Sequence, residues 1–453
     1  MTIIGPMQRL VFIGSHLGYP MDRTPLGGGA MVGLHLARAW SQEPALRLAA
    51  LGSGPEAPFA ASPTAEYVRL AGVAEGLVDL SELAYARFCR RFERESTEWL
   101  LSRRAEWPPQ ETAVVVNDIS EGPDLAALKG AGYPIVSIWH VDVVDYFNKL
   151  YLKSLVAPAK VTAVYEALRR AKLSDVVPDV LKLVFEKQRQ TVAHSDLMVL
   201  PSRAMRDTIE RCYGKTFNSE NPVTPRCLIQ PWGALGSWRK ADPARVAELR
   251  AHYQISPETD VVITLSRISP EKGIHLLIEA FERLEKSGRI TRDTALIVCG
   301  EAAFMMGQAY LRKVRRAAAR LKRVRVFFPG YLSAQDKPEF FALAQLFVSP
   351  SVHESYGLNV VEALRAGLPV LASDHYGVKD ILKEEYGVRV PYESLASAPD
   401  ALAGQLEILL NDKPRLKTMG IAAARAAADM TFSQAADNIR FAALARLPKG
   451  AAA

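Results

Sequence analysis

The chain has 453 residues, of which 49% are hydrophobic and 23% are charged, and its formal net charge at pH 7 is +7. This length predicts two domains of about 200 residues each, because one hydrophobic core rarely grows that large. No apolar run reaches the length of about 18 residues that a transmembrane helix needs, and the start of the sequence lacks the pattern of a signal peptide. We therefore expect a cytoplasmic protein, for which the positive charge leaves peripheral contact with the inner face of the membrane open.

The cysteines predict neither a zinc site nor a disulfide framework. They are scattered, without a Cys-x-x-Cys pair and without the spacing of Cys/His ligands, so we expect buried thiols. The four are Cys89, Cys212, Cys227 and Cys299.

The order of predicted elements is that of an α/β protein. Short β-branched runs alternate with helical patterns, which predicts two doubly wound, Rossmann-like domains of parallel sheets covered by helices. The first half has candidate strands at 9–13, 47–51, 113–116, 135–139, 196–200 and 227–230. The second half has candidate strands at 261–265, 295–299, 324–328, 346–349 and 369–372.

The domain boundary is predicted where proline and glycine interrupt this pattern, at residues 231–236. The N-terminal domain is then 1–235 and the C-terminal domain is 236–430. Residues 431–453 are interpreted as a C-terminal helix that packs back on the first domain.

Two basic segments stand apart from the alternating pattern. Residues 149–190 are mostly helical and longer than a crossover needs, and they form either an extra helical pair that shields the first sheet or a surface for the acceptor or a membrane. Residues 311–325 hold eight Lys or Arg and no acid. They form either a solvated helix face or a docking surface for anionic lipid or polymer. No aromatic-rich basic motif accompanies them, so we expect no nucleic-acid partner.

The first half carries two candidate ligand-binding motifs. Gly27, Gly28 and Gly29 open an amphipathic helix, where glycine permits close backbone approach to a diphosphate at the helix end. Alone, this triplet could also be a flexible turn. His140 closes the candidate strand 135–139, and a lone histidine at a strand end is more often structural.

The second half carries charged residues at two strand-to-helix junctions. Arg267 and Lys272 suit a diphosphate, Arg by its fork of donors and Lys as a point charge. Glu354 and Glu362 flank the second junction, where Gly357 permits a tight turn and the helix start offers N–H groups to an anion. In open parallel sheets ligands bind beyond the carboxyl ends of the strands, where both loops lie. The sequence thus predicts a site for a phosphate and a polyol.

Together these motifs resemble a retaining glycosyltransferase of family 4, with the GT-B fold. The resemblance is firm over residues 255–380, where the motifs stand in family order. They are Arg-x-x-x-x-Lys-Gly, Cys-Gly-Glu (299–301), Pro-Gly-Tyr (329–331), Pro-Ser-x-x-Glu-Ser-Tyr-Gly-Leu (350–358) and Ala-Gly-Leu-Pro-Val (366–370). In the first half the glycine loop and His140 are the main matches. Residues 231–233 and 374–377 depart from the family pattern, which bears on the hinge and the donor-sugar pocket.

The resemblance implies a role for each matching residue. Arg267 and Lys272 would bind the donor's pyrophosphate, and His140 would position the reacting centre. Glu354 would contact the transferred sugar and Glu362 the nucleotide ribose. The implied donor-binding set is completed by Gly27, Gly28, Gly29, Tyr331, Leu332, Ser355, Tyr356, Gly357 and Leu358.

The resemblance also implies the reaction: transfer of a sugar from a nucleotide-diphosphate sugar to an acceptor hydroxyl. A UDP-sugar is expected and GDP-mannose is the alternative, while the acceptor can be a sugar, a lipid-linked group or a small molecule. No Asp-x-Asp stands at a strand end, so we expect no metal and no cofactor. Two other functions stay open: an epimerase of the same fold and a catalytically silent nucleotide-sugar-binding protein.

Overall fold

The structure is a computed structural model. It describes residues 7–20, 27–72, 77, 80, 82–142, 144, 156–173, 179–217, 222–235, 239–302 and 307–448. The chain divides into two compact units, one of Met1–Pro231 with Ser433–Ala453 and one of Trp232–Phe432.

The first unit is built on a seven-stranded parallel sheet with the order β3-β2-β1-β4-β5-β6-β7. Its strands are β1 Gln8–Ile13, β2 Leu46–Gly52, β3 Ala65–Arg69, β4 Thr112–Val116, β5 Ile135–Ile138, β6 Leu197–Leu200 and β7 Cys227–Ile229. The central strands are buried on both faces, as the continuous Val and Leu runs predict. Its helices are α1 Gly28–Trp40, α2 Glu82–Ser102, α3 Leu125–Gly130, α4 Pro158–Arg170, α5 Asp179–His194 and α6 Arg203–Tyr213.

The second unit is built on a six-stranded parallel sheet with the order β10-β9-β8-β11-β12-β13. Its strands are β8 Asp260–Leu265, β9 Thr294–Cys299, β10 Val324–Gly330, β11 Leu346–Ser349, β12 Val370–Ser373 and β13 Gly387–Val390. Its helices are α7 Pro243–His252, α8 Ile274–Lys286, α9 Gly307–Ala318, α10 Lys337–Leu343, α11 Leu358–Arg365, α12 Tyr376–Ile381, α13 Ala398–Asn411 and α14 Lys413–Ala427. A last helix, α15 Phe432–Leu444, leads back into the first unit.

All eleven predicted strands are present, and the part of the chain that the structure describes has two more. The additional strands, β3 and β13, each lie at one edge of their sheet. β3 is only partly buried, and β13 is four residues long with Arg389 exposed. Edge strands bury less apolar surface than central strands, so their sequences lack the hydrophobic signal that marks the others. The prediction of two doubly wound parallel-sheet domains is confirmed.

Each sheet has one point where the strand order reverses. In the first unit it lies between β1 and β4, and in the second unit it lies between β8 and β11. Loops leave the carboxyl ends of these neighbouring strands toward opposite faces of the sheet, which opens a crevice at that edge. In the second unit, the loops that carry Arg267, Lys272 and Glu354 follow the two strands at this reversal point.

The C-terminal helix packs on the first unit through polar contacts as well as apolar ones. Trp40 Nε1 donates to the Ala436 carbonyl at 2.9 Å, and Arg440 lies 3.3 Å from Glu43. Ala435, Ala436 and other apolar residues of this helix are buried.

The long segment 149–190 is described in part. Its residues 149–155, which include Lys149 and Lys153, and 174–178 lie outside the described residues. The remainder forms α4 and part of α5, joined by Tyr165 stacked on Phe185 with ring centroids 5.0 Å apart. Glu166 accepts from Arg169 at 3.0 Å and lies 2.8 Å from Arg189. These contacts give the described helices a packed, ion-paired interface of their own.

Three of the cysteine thiols are buried and Cys227 is half-buried, and no disulfide joins any of the four. Among the described helices, none is both long enough and apolar enough to cross a membrane.

Candidate functional site

In the second unit, the loops that follow β8 and β11 lie side by side. β8 pairs with β11 in parallel, so Arg267 and Lys272 leave the sheet next to the loop that carries Glu354. Asn359 Nδ2 donates to the Leu265 carbonyl at 2.8 Å and fixes the start of α11 against the end of β8. The four charged residues that the sequence singled out are thus collected at one edge of one sheet.

Lys272 and Glu354 form an ion pair inside this edge. Lys272 Nζ donates to Glu354 Oε2, and the two side chains are 11% and 19% exposed. Burial alone would raise the pKa of Glu354, but the Lys272 ammonium and the neighbouring His375 and His353 lower it to about 2. Glu354 is therefore a permanent carboxylate at neutral pH.

The loop after β8 is bound to the loop after β11 through Glu271. The Glu271 carbonyl accepts from Val352 N at 2.8 Å, and its buried carboxylate accepts from Ser269 Oγ at 2.6 Å. Arg267 lies 3.6 Å from the same carboxylate and keeps 28% of its side chain exposed. Glu271, which sequence reasoning missed, thus anchors the loop while the guanidinium of Arg267 still reaches solvent.

Gly273 brings these two loops into backbone contact. It has φ +63°, and a Cβ at this position would lie 2.1 Å from the Pro350 carbonyl oxygen. Only glycine satisfies both the backbone conformation and the close approach. Lys272, the residue before it, is held in register with Glu354 by this contact.

Both helices that begin at these loops start at a left-handed glycine. Gly273 precedes α8 and Gly357, with φ +103°, precedes α11; neither start has a side-chain cap. A helix start carries partial positive charge, which adds to that of Arg267 and Lys272. The site is therefore suited to a diphosphate.

Glu362 has a partner that the sequence did not reveal. Lys337 Nζ donates to both carboxylate oxygens of Glu362, at 2.8 and 2.9 Å, and the two side chains are 21% and 9% exposed. Lys337 begins α10, which follows the loop after β10. Its position just before Pro338 marks a helix start, but nothing in its local sequence points to Glu362.

The remaining predicted donor-binding residues differ in exposure. Tyr331 keeps 43% of its surface exposed, while Leu332 and Ser355 are buried. Tyr356 is buried and its hydroxyl donates to the Trp232 carbonyl at 2.6 Å. That bond attaches the loop after β11 to the first residues of the second unit. Leu358 is the first residue of α11.

Residues 374–377, which depart from the family pattern, also reach this site. Gly377 N donates to the Glu354 carbonyl at 3.3 Å, and His375 is buried close enough to lower the pKa of the Glu354 carboxyl. His353 is buried as well, with its ring 6.0 Å from that of Tyr376. These histidines were missed at the sequence level because His353 occupies a variable position of the motif 350–358 and His375 lies where the sequence departs from the family pattern.

In the first unit, the glycine turn lies against His140. A Cβ on Gly29 would lie 2.7 Å from His140 Cγ, and Asn117 Nδ2 donates to the Gly29 carbonyl at 3.3 Å. His140 Nε2 lies 3.0 Å from Asn117 Oδ1. Because that oxygen only accepts, Nε2 carries the proton. Burial lowers the pKa of His140 to about 4, so the ring is neutral at pH 7.

A second, partly buried polar cluster adjoins His140 and was not predicted. It lies beyond the carboxyl ends of β1 and β4 and contains His16, Asp118 and Glu121. Burial opposes the charge on His16, but the Asp118 carboxylate 3.5 Å away raises the pKa of His16 to about 9 and has its own pKa lowered in return. Burial and the nearby Asp118 raise the pKa of Glu121, whose carboxylate accepts from Tyr85.

The second unit also carries the similarity to known proteins. Residues 246–426 match the family model described as glycosyl transferases group 1. The alpha-D-kanosaminyltransferase of Streptomyces kanamyceticus is 31% identical over 198 residues, 43% of this chain and 48% of the relative. Within these residues the chain is thus similar to glycosyl transferases group 1. The D-inositol 3-phosphate glycosyltransferase of Corynebacterium diphtheriae is 27% identical over 256 residues, 56% of each chain. The chain spans about half the length of the curated relatives that it matches.

Solved structures are similar to nearly the whole chain. HepE of Anabaena, in complex with UDP and glucose, has a TM-score of 0.63 and 16% identity, and the match covers 97% of this chain and 99% of HepE. The sucrose-phosphate synthase of Thermosynechococcus elongatus has a TM-score of 0.66 and 18% identity, covering 96% of this chain and 98% of the synthase. This similarity shows the fold, which is that of the GT-B glycosyltransferases.

Proposed function

We propose that the protein is a retaining, family 4 glycosyltransferase, which moves a sugar from a nucleotide-diphosphate sugar to an acceptor hydroxyl. One observation carries the proposal: Arg267, Lys272, Glu354 and Glu362 meet at the point where the strand order of the second sheet reverses. This is where ligands bind in such sheets. The order and spacing of the four are those that the family uses for its donor.

Arg267, Lys272 and the starts of α8 and α11 bind the donor's diphosphate in this proposal. Negative charge develops on the diphosphate as the sugar leaves, and fixed cations stabilise that charge without reorganising. Glu354 already holds Lys272 in place, so its ionised carboxylate both orients the cation and accepts from a hydroxyl of the donor sugar. These side chains meet the leaving group's charge, and we propose that the reaction needs no metal and no cofactor.

Glu362 binds the ribose hydroxyls of the nucleotide. A carboxylate with both oxygens held by Lys337 has one orientation, and a fixed acceptor is what recognition of a diol requires. Tyr331 and Leu332, which follow β10 in the same unit, lie beside the base.

The chemical step keeps the configuration at the anomeric carbon. The bond between that carbon and the phosphate oxygen breaks, the acceptor oxygen bonds to the carbon on the same face, and the acceptor's proton passes to the departing phosphate oxygen. His140, neutral and oriented by Asn117, positions the reacting centre and does not act as a nucleophile.

UDP is the favoured nucleotide, and GDP-mannose is the next donor to test. HepE, a protein of the same fold, was solved with UDP-glucose. The epimerase and the catalytically silent protein are not favoured, because the relatives found by sequence are named as transferases and synthases and the charged residues of the site are intact.

A thermal-shift scan of nucleotide sugars tests the proposal. The correct donor should raise the unfolding temperature by mass action, and bare UDP should do so in part. Glu362→Gln should weaken binding of the bare nucleotide, whereas Glu354→Gln should leave it intact and slow transfer and donor hydrolysis. Equal loss of bare UDP binding in both variants would contradict these roles, and stabilisation by no nucleotide sugar would reject the proposal.

A further inference from the structure

The positive charge of this protein is concentrated in one segment of the second unit. Residues 312–325 hold eight Lys or Arg and no Asp or Glu, while the net charge of the whole chain is +7. The rest of the chain therefore has a formal charge of −1. This segment therefore accounts for the net positive charge of the chain.

The structure places four of these eight cations on the outer face of α9 and in the turn after it. The opposite face of α9 packs into the core through Tyr310, Val314 and Ala317. The outer face presents cations at four-residue spacing with one more beside them. We call this set the basic face: Arg312, Lys313, Arg316 and Arg320, all exposed.

Other cations in the unit are held by its own acids, in contrast to the basic face. Arg325 pairs with Asp293 at 2.6 Å, Arg289 with Glu407 at 2.8 Å, and Lys286 with Glu282 at 3.0 Å. Within the described residues, Arg320 has only a long contact of 3.6 Å with Glu282. No ion pair is found among the described residues for Arg312, Lys313 or Arg316. Their charge faces outward and is uncompensated.

We infer that the basic face is a docking site for the surface of an anionic lipid bilayer. Charge complementarity is the argument: three cations on a helix about 18 Å long, with Arg320 in the turn after it, form a dense row that faces a plane of anionic headgroups. Each Lys or Arg near such a surface strengthens binding about fivefold, and added salt weakens the effect. The described part of 307–325 exposes no aromatic or large aliphatic side chain, so binding is electrostatic and the helix does not insert.

A nucleic acid fits this face less well. Single strands are bound on aromatic stacking platforms set in a basic groove, and the basic face is convex and has no exposed ring. Duplex recognition would place the helix in a groove, but here one side of the helix is packed into the core.

The docking site adjoins the donor loop of the same unit. Tyr310 of α9 accepts from His275 N at 3.1 Å, and His275 is the second residue of α8, which begins directly after Lys272 and Gly273. The helix that carries the basic face thus contacts the helix that begins at the donor loop. This inference does not depend on the reaction that the site performs.

The test is co-sedimentation of the full chain with vesicles. Wild-type protein should pellet with vesicles of phosphatidylcholine and phosphatidylglycerol at low salt, and should stay in solution at high salt or with phosphatidylcholine alone. The variant R312E/K313E/R316E should bind the anionic vesicles about a hundredfold more weakly. The matched control K383E/R415E/K417E changes the net charge equally at exposed sites of the same unit and should still bind.

Two measurements check that the variants are folded: their affinity for bare UDP and their unfolding temperature. Both should match the wild type in each variant, which shows that the unit is folded. Wild-type protein that ignores anionic vesicles, equal loss in the test and control variants, or complete displacement by added RNA at equal charge would each overturn the inference.

Discussion

Lys337 holds Glu362 by both carboxylate oxygens, at 2.8 and 2.9 Å, across 25 residues of sequence. The pair links α10 to α11 and gives the proposed ribose acceptor a single orientation. Lys337 is thus a positioning residue for the nucleotide, although it matches no motif.

Replacing Lys337 should weaken nucleotide binding. Lys337→Ala leaves the buried Glu362 carboxylate without its charge-assisted hydrogen bonds, and the affinity for bare UDP should fall about tenfold or more. Calorimetry measures this. Lys286→Ala removes a lysine that is 72% exposed and pairs with Glu282 on the surface, so it is the control. Unchanged UDP affinity in Lys337→Ala would separate Lys337 from the nucleotide site.

Replacing either cation of the loop after β8 should slow turnover. Arg267→Ala and Lys272→Ala each remove a fixed charge from the proposed leaving group, and kcat should fall about a hundredfold or more. Arg289→Ala, which removes an ion-paired surface arginine, should keep normal turnover. An Arg267→Ala enzyme with near-normal kcat would exclude that residue from the chemistry.

Glu354 should stabilise the fold in a defined pH window. Its pKa is about 2 in the folded protein against an ordinary 4.5, so its contribution is fully present above pH 4.5 and is lost as pH falls toward 2. The wild type should therefore lose more thermal stability than Glu354→Gln between these pH values, by up to about 3 kcal/mol. If the wild type and Glu354→Gln lose the same thermal stability over this pH range, the Lys272–Glu354 pair does not stabilise the fold.

His16 should act in the opposite direction at alkaline pH. Its folded pKa of about 9 exceeds the ordinary 6.5, so its contribution is complete below pH 6.5 and disappears as pH rises through about 9. The unfolding temperature of the wild type should fall across this range more than that of His16→Gln. If both fall equally, the charge pair between His16 and Asp118 is not formed in solution.

Gly273 and Gly288 have the same backbone conformation but different neighbours, so replacing each by Ala distinguishes backbone strain from steric contact. Gly273→Ala and Gly288→Ala both place a side chain at a positive φ, +63° and +69°, which costs roughly 1–2 kcal/mol. Only Gly273 meets a neighbour, the Pro350 carbonyl at 2.1 Å, whereas Gly288 has open space. Gly273→Ala should therefore destabilise more and also impair UDP-sugar binding. Equal effects in the two variants would mean that the loops adjust freely.

The sequence predicted most of the fold because buried parallel strands carry their own signal. Thr112–Val116 reads as an apolar run and is fully buried. The edge strand Ala65–Arg69 is half exposed, so its pattern is not distinguishable from a loop.

The site was predictable only where its residues stand at strand ends. Arg267, Lys272 and Glu354 meet because their loops follow adjacent parallel strands. The pairing of Lys337 with Glu362 depends on how helices and loops pack in three dimensions. So does the pairing of Ser15 and His16 with Asp118, about a hundred residues away in the sequence. A single sequence gives no local sign of such contacts.

The course of the chain between Pro231 and Ser433 makes the second unit a separable module. Ala234 N donates to the Met430 carbonyl at 3.1 Å, Ala234 forms a parallel bridge with Thr431, and Trp232 stacks on Phe432. The two ends of residues 232–432 are thus fastened together, as in a domain inserted into a host. A single uninterrupted gene fragment can encode this unit with the four charged residues of the proposed donor site, while the first unit requires two pieces of the chain to be joined.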